Sequence, residues 1–230
     1  MRLVSSTDLL TELRKYKREY DTIPLEGPTD ELHIENQWFT TVDMEVLYSM
    51  VRYLKPPRMI EIGSGHSTRC TLRAIKANRS ACDFTAIDPD PRLAVDSLSG
   101  LTVIRRRVET VPIGLFDTLL AGDVLFIDSS HIWKSGNDVD FEYHQILPRL
   151  APGVVVHIHD IFLPDGYPDH WWDRGYTEQA LVAPLLVSGE WDVLWSAHYM
   201  HLKYPHLLAD AFHSYEPESG YPASLWLVKR

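Results

Sequence analysis

Short apolar runs, each closed by an acid or a glycine, recur along this chain. Met59-Ile60-Glu61-Ile62 feeds into Gly63-Ser64-Gly65, and Phe84-Thr85-Ala86-Ile87 ends at Asp88. Val124-Leu125-Phe126-Ile127 ends at Asp128, and Val154-Val155-Val156-His157-Ile158 ends at His159-Asp160. Runs this short, rich in β-branched residues and bounded by turn formers, read as buried strands. Residues 101–104, 191–197 and 223–228 add three more. A different rhythm governs Val42, Val46, Leu47, Met50, Val51 and Leu54, whose i, i+4, i+5, i+8 spacing predicts a helix capped by Thr40 or Thr41 and stopped at Pro56-Pro57. Helices are also predicted over 68–77, 91–98, 136–147 and 177–187, the last kinked or split by Pro184, which lacks the backbone N–H. Residues 7–20 read as an amphipathic helix. Leu10, Leu13 and Tyr16 face inward, and Arg14, Lys15, Lys17 and Arg18 form a solvated face. Residues 21–37 read as an irregular cover, and 199–221 as irregular with one short helix over 207–212.

Strands that alternate with helices argue for a parallel sheet covered on both faces. No full-length helix separates the last two strands, so they are expected to run antiparallel at the sheet edge. The organisation read from this is an N-terminal helix and cover over 1–35 and one α/β domain over 36–230. A lid-like loop at 161–176 carries Trp171 and Trp172, for which closing over a ligand and simple packing stand even.

Composition narrows the function classes. The 230 residues carry a net charge of −10, which leaves no electrostatic footprint for nucleic acid. No stretch approaches a membrane span, and the N-terminus lacks the apolar core of a signal peptide. Cys70 and Cys82 fall in no metal or redox spacing and read as reduced thiols of a cytoplasmic protein. Eight of the 11 histidines lie from His144 onward, which points to a lined pocket in the C-terminal half.

The glycine turn after the first strand is the natural ligand site. Its glycines allow positive φ and close approach of a ligand, and the following helix offers unpaired N–H groups. A dinucleotide fold calls for a third glycine where Thr68 stands, and Glu61 would repel a pyrophosphate. An acid beside the turn suits a cationic ligand instead, one with an amino group and a sulfonium: S-adenosylmethionine (SAM). The cofactor candidates are therefore Glu61, Gly63, Ser64, Gly65, His66 and Ser67. Asp88 joins them as a ribose-binding acid, and Val108 and Glu109 lie in the loop that commonly flanks an adenine.

The acid-x-Gly-x-Gly motif resembles motif I of the class I SAM-dependent methyltransferases. Over about residues 36–230 the chain is similar to the branch known as methyltransferase domain family 24. The most specific stretches are Ile60 to Thr68, Ile87-Asp88-Pro89, Phe126-Ile127-Asp128-Ser129-Ser130-His131 and His157-Ile158-His159-Asp160-Ile161-Phe162-Leu163-Pro164. Asp165-Gly166-Tyr167-Pro168, Glu178-Gln179 and Ser224-Leu225-Trp226-Leu227 also look familial. The resemblance implies a Rossmann-like seven-stranded sheet of order 3-2-1-4-5-7-6 with strand 7 antiparallel, and SAM held at Glu61, Gly63, Gly65 and Asp88. The tract with Ser64, His66 and Ser67 departs from the family pattern, as does Pro184.

Asp128, His159 and Asp160 close neighbouring strands and are expected to converge beside the transferred methyl, with Asp128 also counted among the cofactor contacts. Two carboxylates and an imidazole suit Mg²⁺ or Mn²⁺, so these three are also the candidate metal ligands, although His-Asp stands where the metal-dependent O-methyltransferases carry acids or amides. Without a metal, His131 or His159 is the candidate general base. His157 reads as a satisfied histidine of the sheet. The expected activity is SAM-dependent O-methylation of a small-molecule or sugar-like hydroxyl. The alternatives are an NAD(P)-dependent oxidoreductase and a non-catalytic SAM-binding protein. The partner expected is a small-molecule acceptor, with no nucleic acid and no membrane, and the N-terminal helix is a candidate homodimer contact.

Overall fold

The computed structural model describes residues 6–218 and 221–230. Residues 1–5, where the absence of a signal peptide was read, lie outside the described residues, as do 219 and 220. The chain opens with α1 (Ser6–Leu13), a tight 3₁₀ turn and a one-turn α2 (Lys17–Tyr20). Leu9, Leu10, Leu13 and Tyr20 are buried against the chain's own core. A homodimer contact on α1 would therefore have to use its charged side. Arg14, Lys15 and Lys17 pair with Asp210, Glu12 and Asp21, as a solvated face should.

After the cover comes α3 (Asp43–Leu54), then β1 (Arg58–Ile62), α4 (His66–Asn78), β2 (Asp83–Ile87), β3 (Thr102–Ile104) and β4 (Val124–Ile127). Next are α5 (Asp138–Phe141), β5 (Val155–Ile158), α6 (Gln179–Val187), β6 (Trp191–Ser196), α7 (Ala197–Lys203), α8 (Pro205–Ala211) and β7 (Leu225–Lys229). The seven strands form one sheet of order β3-β2-β1-β4-β5-β7-β6. Pairs among β1 to β5 are parallel, and β7 runs antiparallel to both β5 and β6. Strand alternation sends Met59, Phe84, Phe126 and Trp226 into a core under α1, α3, α4, α7 and α8. Ile60, Ile62, Leu125, Ile127 and Val156 go into a second core on the other face. The expected seven-stranded architecture is present.

Four local expectations need correction. Neither threonine hydroxyl caps α3; Val42 stands at the cap, and Thr41 instead bonds the side chains of Glu45 and Ser214. Residues 91–98 form bends rather than a helix. They bury Leu93 and Val95, a spacing no helix can place on one side, and Arg105 draws Asp96 outward. α6 runs unbroken through Pro184, which sits on its exposed side where the missing N–H costs least. The segment 199–221 holds more helix than expected, because the Ser196 hydroxyl accepts from the Tyr199 N–H and starts α7. No described helix is long and apolar enough to cross a membrane.

Candidate active site

Ligands in an open α/β sheet bind beyond the carboxyl ends of the strands, and a cavity of about 1150 Å³ lies there. Gly63, Ser64, Asp88, Val108 and Glu109 line one part of it, and Asp128, His131, His159 and Asp160 another. An adjoining cavity of about 320 Å³ is lined by Gly65, His66 and Ser67 and shares Ser64 and Asp128 with the first. The cover reaches over both: Trp38 lines each cavity and takes the Arg92 guanidinium on its ring at 4.0 Å.

The donor side is built around the glycine turn. Gly63 has φ +91°, and a Cβ there would sit 2.1 Å from the Asp128 carbonyl oxygen, so only glycine lets β1 turn this close to β4. A Cβ on Gly65 would meet nothing within 4 Å, so the backbone there is open to a ligand. The Gly65 N–H donates to the Thr68 hydroxyl (2.9 Å), which explains why a threonine can replace the third glycine. Ser64 donates to Asp88 (2.7 Å), and that carboxylate also accepts the Asp90 N–H (2.9 Å). An open backbone above Gly65, the N-terminus of the 13-residue α4 and a strand-end acid suit the amino-acid and ribose ends of SAM.

Glu61 is the exception. It lines neither cavity. Strand alternation turns it under α4, where it is fully buried and accepts from the hydroxyls of Ser67 (2.6 Å) and Thr68 (2.7 Å). Burial, reinforced by Asp128 and Asp88, outweighs those two bonds and pushes its carboxyl up to about 8. An acid that is neutral at pH 7 and out of contact with the cavity cannot sort cofactors by charge. The charge-sorting role expected of Glu61 finds no contact with either cavity, and the side chain instead anchors the first turn of α4. His66 is also neutral, lowered to about 4 by burial and by His33, whose ring meets it edge-on at 5.0 Å.

The acceptor side is charged. His131 Nε2 lies 3.3 Å from Asp128 and 3.5 Å from Asp160, and its Nδ1 lies 2.7 Å from Glu178. His159 Nδ1 lies 3.3 Å from Asp128 and 3.6 Å from Asp160, and its Nε2 lies 3.3 Å from Asp43. Asp43 in turn accepts the backbone N–H groups of Ala223 and Ser224. Both nitrogens of both rings thus face carboxylates, so both rings must donate from each. Burial opposes charge on the two histidines, but their carboxylate partners win and raise both well above the ordinary histidine value. Burial likewise opposes ionisation of Asp128, and the same two histidines overcome it and lower its carboxyl. Asp160 goes the other way, raised chiefly by burial. His131 and Asp160 adopt left-handed backbone, φ +58° and +56°, which costs each roughly 1–2 kcal/mol.

This donor set does not fit a divalent ion. A metal needs imidazole lone pairs and free carboxylate oxygens, whereas the His131 N–H occupies the space between Asp128 and Asp160. Among the described residues no group of three or more His, Cys, Asp or Glu side chains is arranged to hold a metal. The expected convergence of Asp128, His131, His159 and Asp160 is present, with the two imidazoles set between the carboxylates.

Sequence reasoning missed Asp43 and Glu178, which hold the outer nitrogens. Glu178 was noted only as familial, and Asp43 looks like any first-turn acid. The neighbour Gln179 ties the loop over 161–176 to α6, accepting the Phe162 N–H and donating to the Asp165 carbonyl. Of the loop's tryptophans, Trp171 turns inward to line the cavity and pack on Phe162 and Tyr176, while Trp172 is 87% exposed. His157 is a core slab between Phe126 (4.0 Å) and Trp226 (4.2 Å), but among the described residues neither of its nitrogens has a hydrogen-bond partner, unlike the satisfied histidine expected.

A sheet of order 3-2-1-4-5-7-6 with strand 7 antiparallel and a glycine turn after its first strand defines the class I methyltransferase fold. Residues 60–161 match a family model described as a methyltransferase domain. Among solved structures it is similar to the methyltransferase PaMTH1 of Podospora anserina bound to S-adenosylhomocysteine (SAH). Identity is 16%, coverage is 97% of this chain and 88% of that one, and the TM-score is 0.54. It is also similar to the O-methyltransferase TomG of Streptomyces achromogenes in complex with SAM, with 16% identity, 99% and 91% coverage and a TM-score of 0.48. The fold comparison rests on the first of these. No curated protein matches the chain significantly.

Proposed function

We propose that this chain transfers the methyl of SAM to a hydroxyl of a small-molecule or sugar-like acceptor. The carboxylate–imidazolium cluster, opening into the same cavity as Gly63 and Asp88, is the observation that carries this reading. Bound SAM supplies an electrophilic methyl on a sulfonium. The chain's own residues supply the rest. Asp160 is the base: burial raises its proton affinity above that of an ordinary carboxylate, and it lines the cavity. The acceptor's O–H proton passes to Asp160 as the oxygen attacks. His131 and His159, already protonated, are poor bases in the resting protein; they orient Asp160 and, with Asp128, balance the charge around it. Most of the rate gain comes from alignment of the reacting atoms. A cytoplasmic location goes with this reading, as does a small-molecule acceptor rather than nucleic acid or a membrane.

The test is incubation of the purified protein with methyl-labelled SAM and a library of hydroxylated small molecules. Label is expected on oxygen, and Asp160→Asn should lower its rate of appearance about 10²- to 10⁴-fold. Label on nitrogen or sulfur alone would contradict O-methylation, and SAM binding with no transfer at all would favour the non-catalytic alternative.

A further inference from the structure

The methyl-transfer reading leaves the acceptor's character open, and two cations at the cavity mouth bear on it. Arg174 and Lys134 both line the main cavity. Arg174 lays its guanidinium 3.8 Å over the Trp171 ring and 5.6 Å from that of Tyr176. Tyr176 in turn lies 4.8 Å from the His131 ring, so one aromatic ring separates this cation from the catalytic cluster. Loop contacts fix the arrangement. The Thr177 N–H donates to the His131 carbonyl (2.8 Å), and the Trp133 N–H donates to the Thr177 hydroxyl (2.7 Å), which ties the segment bearing Lys134 to the segment bearing Arg174.

Among the described residues neither cation has a carboxylate partner. This is unusual in a chain of net charge −10, where Arg107, on the donor side of the same cavity, pairs with Glu109. The nearest acid in sequence on the Lys134 side, Asp138, has both oxygens engaged by Ser130. A guanidinium held flat by aromatic stacking is pre-organised for two parallel hydrogen bonds to a carboxylate or phosphate.

We propose that the acceptor carries an anionic group, a carboxylate or a phosphate, bound by Arg174 with help from Lys134, one small molecule's length from the hydroxyl that reacts. This rests on the methyl-transfer reading for what the bound molecule undergoes, but not for the anion site itself.

The experiment is calorimetric titration of the protein with matched pairs, glucose 6-phosphate against glucose and 4-hydroxybenzoate against phenol, with SAH present and absent. In at least one pair the charged member should bind about tenfold more tightly, and which pair responds separates phosphate from carboxylate. Arg174→Gln should bring that preference to within about threefold, and Arg174→Lys should keep part of it. SAH affinity should be unchanged in both variants, which shows that the fold is intact. Equal binding of charged and neutral members, no saturable binding of either anion, or a preference that survives Arg174→Gln would overturn the proposal. Failure of the methyl-transfer reading would show instead as absent SAH binding, or as binding with no label transferred from SAM, with the anion preference still measurable without SAH.

Discussion

Two carboxylates on adjacent strands of this sheet end in opposite states. Glu61 on β1 and Asp128 at the end of β4 both pay for removal from water, and in both burial acts to neutralise the group. Glu61 has only the hydroxyls of Ser67 and Thr68 to offset it, and its carboxyl rises to about 8. Asp128 has two histidines, each fixed on its far side by another acid, and its carboxyl falls below the ordinary range. Hydroxyl donors position a buried acid without keeping it charged; full cations keep it charged. Glu61 is consequently a neutral support beneath the glycine turn, and the cluster around Asp128 is the charged, strained part where chemistry is proposed.

The largest effect that can break this contrast is on turnover. Asp160→Asn keeps a residue that tolerates the left-handed backbone and removes the base. Methyl transfer should fall about 10²- to 10⁴-fold with SAH affinity unchanged. Turnover within tenfold of the parent would remove Asp160 from the mechanism.

Next in size is stability. His159 is held between Asp43, Asp128 and Asp160, and His159→Gln leaves those acids facing one another without the cation. The loss should be about 3–5 kcal/mol in urea unfolding at pH 7. A loss below about 1 kcal/mol would mean that the ring is not charged in the folded state. The sign of the pH dependence follows from the directions of the shifts. The raised histidines stabilise fully below their unfolded value near 6.5 and lose that contribution as pH rises through their folded values. Asp128, being lowered, stabilises above its unfolded value near 3.8 and loses that contribution in acid. The cluster should therefore contribute most between about pH 4 and 6.5.

The smallest effect at neutral pH is expected at Glu61. Because its carboxyl is raised, the folded state binds more protons than the unfolded state between about pH 4.5 and 8, so stability from this group falls as pH rises through that window. Glu61→Gln should flatten that part of the curve, seen by comparing urea midpoints of parent and variant at pH 5 and 8, and should shift SAH affinity less than about tenfold. An unchanged slope in the variant would show that Glu61 ionises freely.

Much of this contrast was legible in the sequence, and the parts that were not have physical reasons. Acids that close apolar runs mark strand ends, so Asp88, Asp128 and Asp160 were placed at the carboxyl ends of the strands, where they line the cavity. Glu61 was misjudged because its nearness to the glycines was weighed and strand alternation was not. Two residues before Gly63, on the same side as Met59, it could only point under α4. The charge state of His131 and His159 was out of reach, because it depends on Asp43 and Glu178, partners supplied by distant parts of the chain with no local pattern of their own. The helix expected over 91–98 failed for the ordinary reason that burial of Leu93 and Val95 overrode a weak propensity.

The account stands or falls on what occupies the cleft beside Gly63. Calorimetric titration of the purified protein with SAH and, separately, with NADH tests that directly. The account predicts saturable binding of SAH at one site per chain and no heat from NADH; binding of NADH with none of SAH would contradict it.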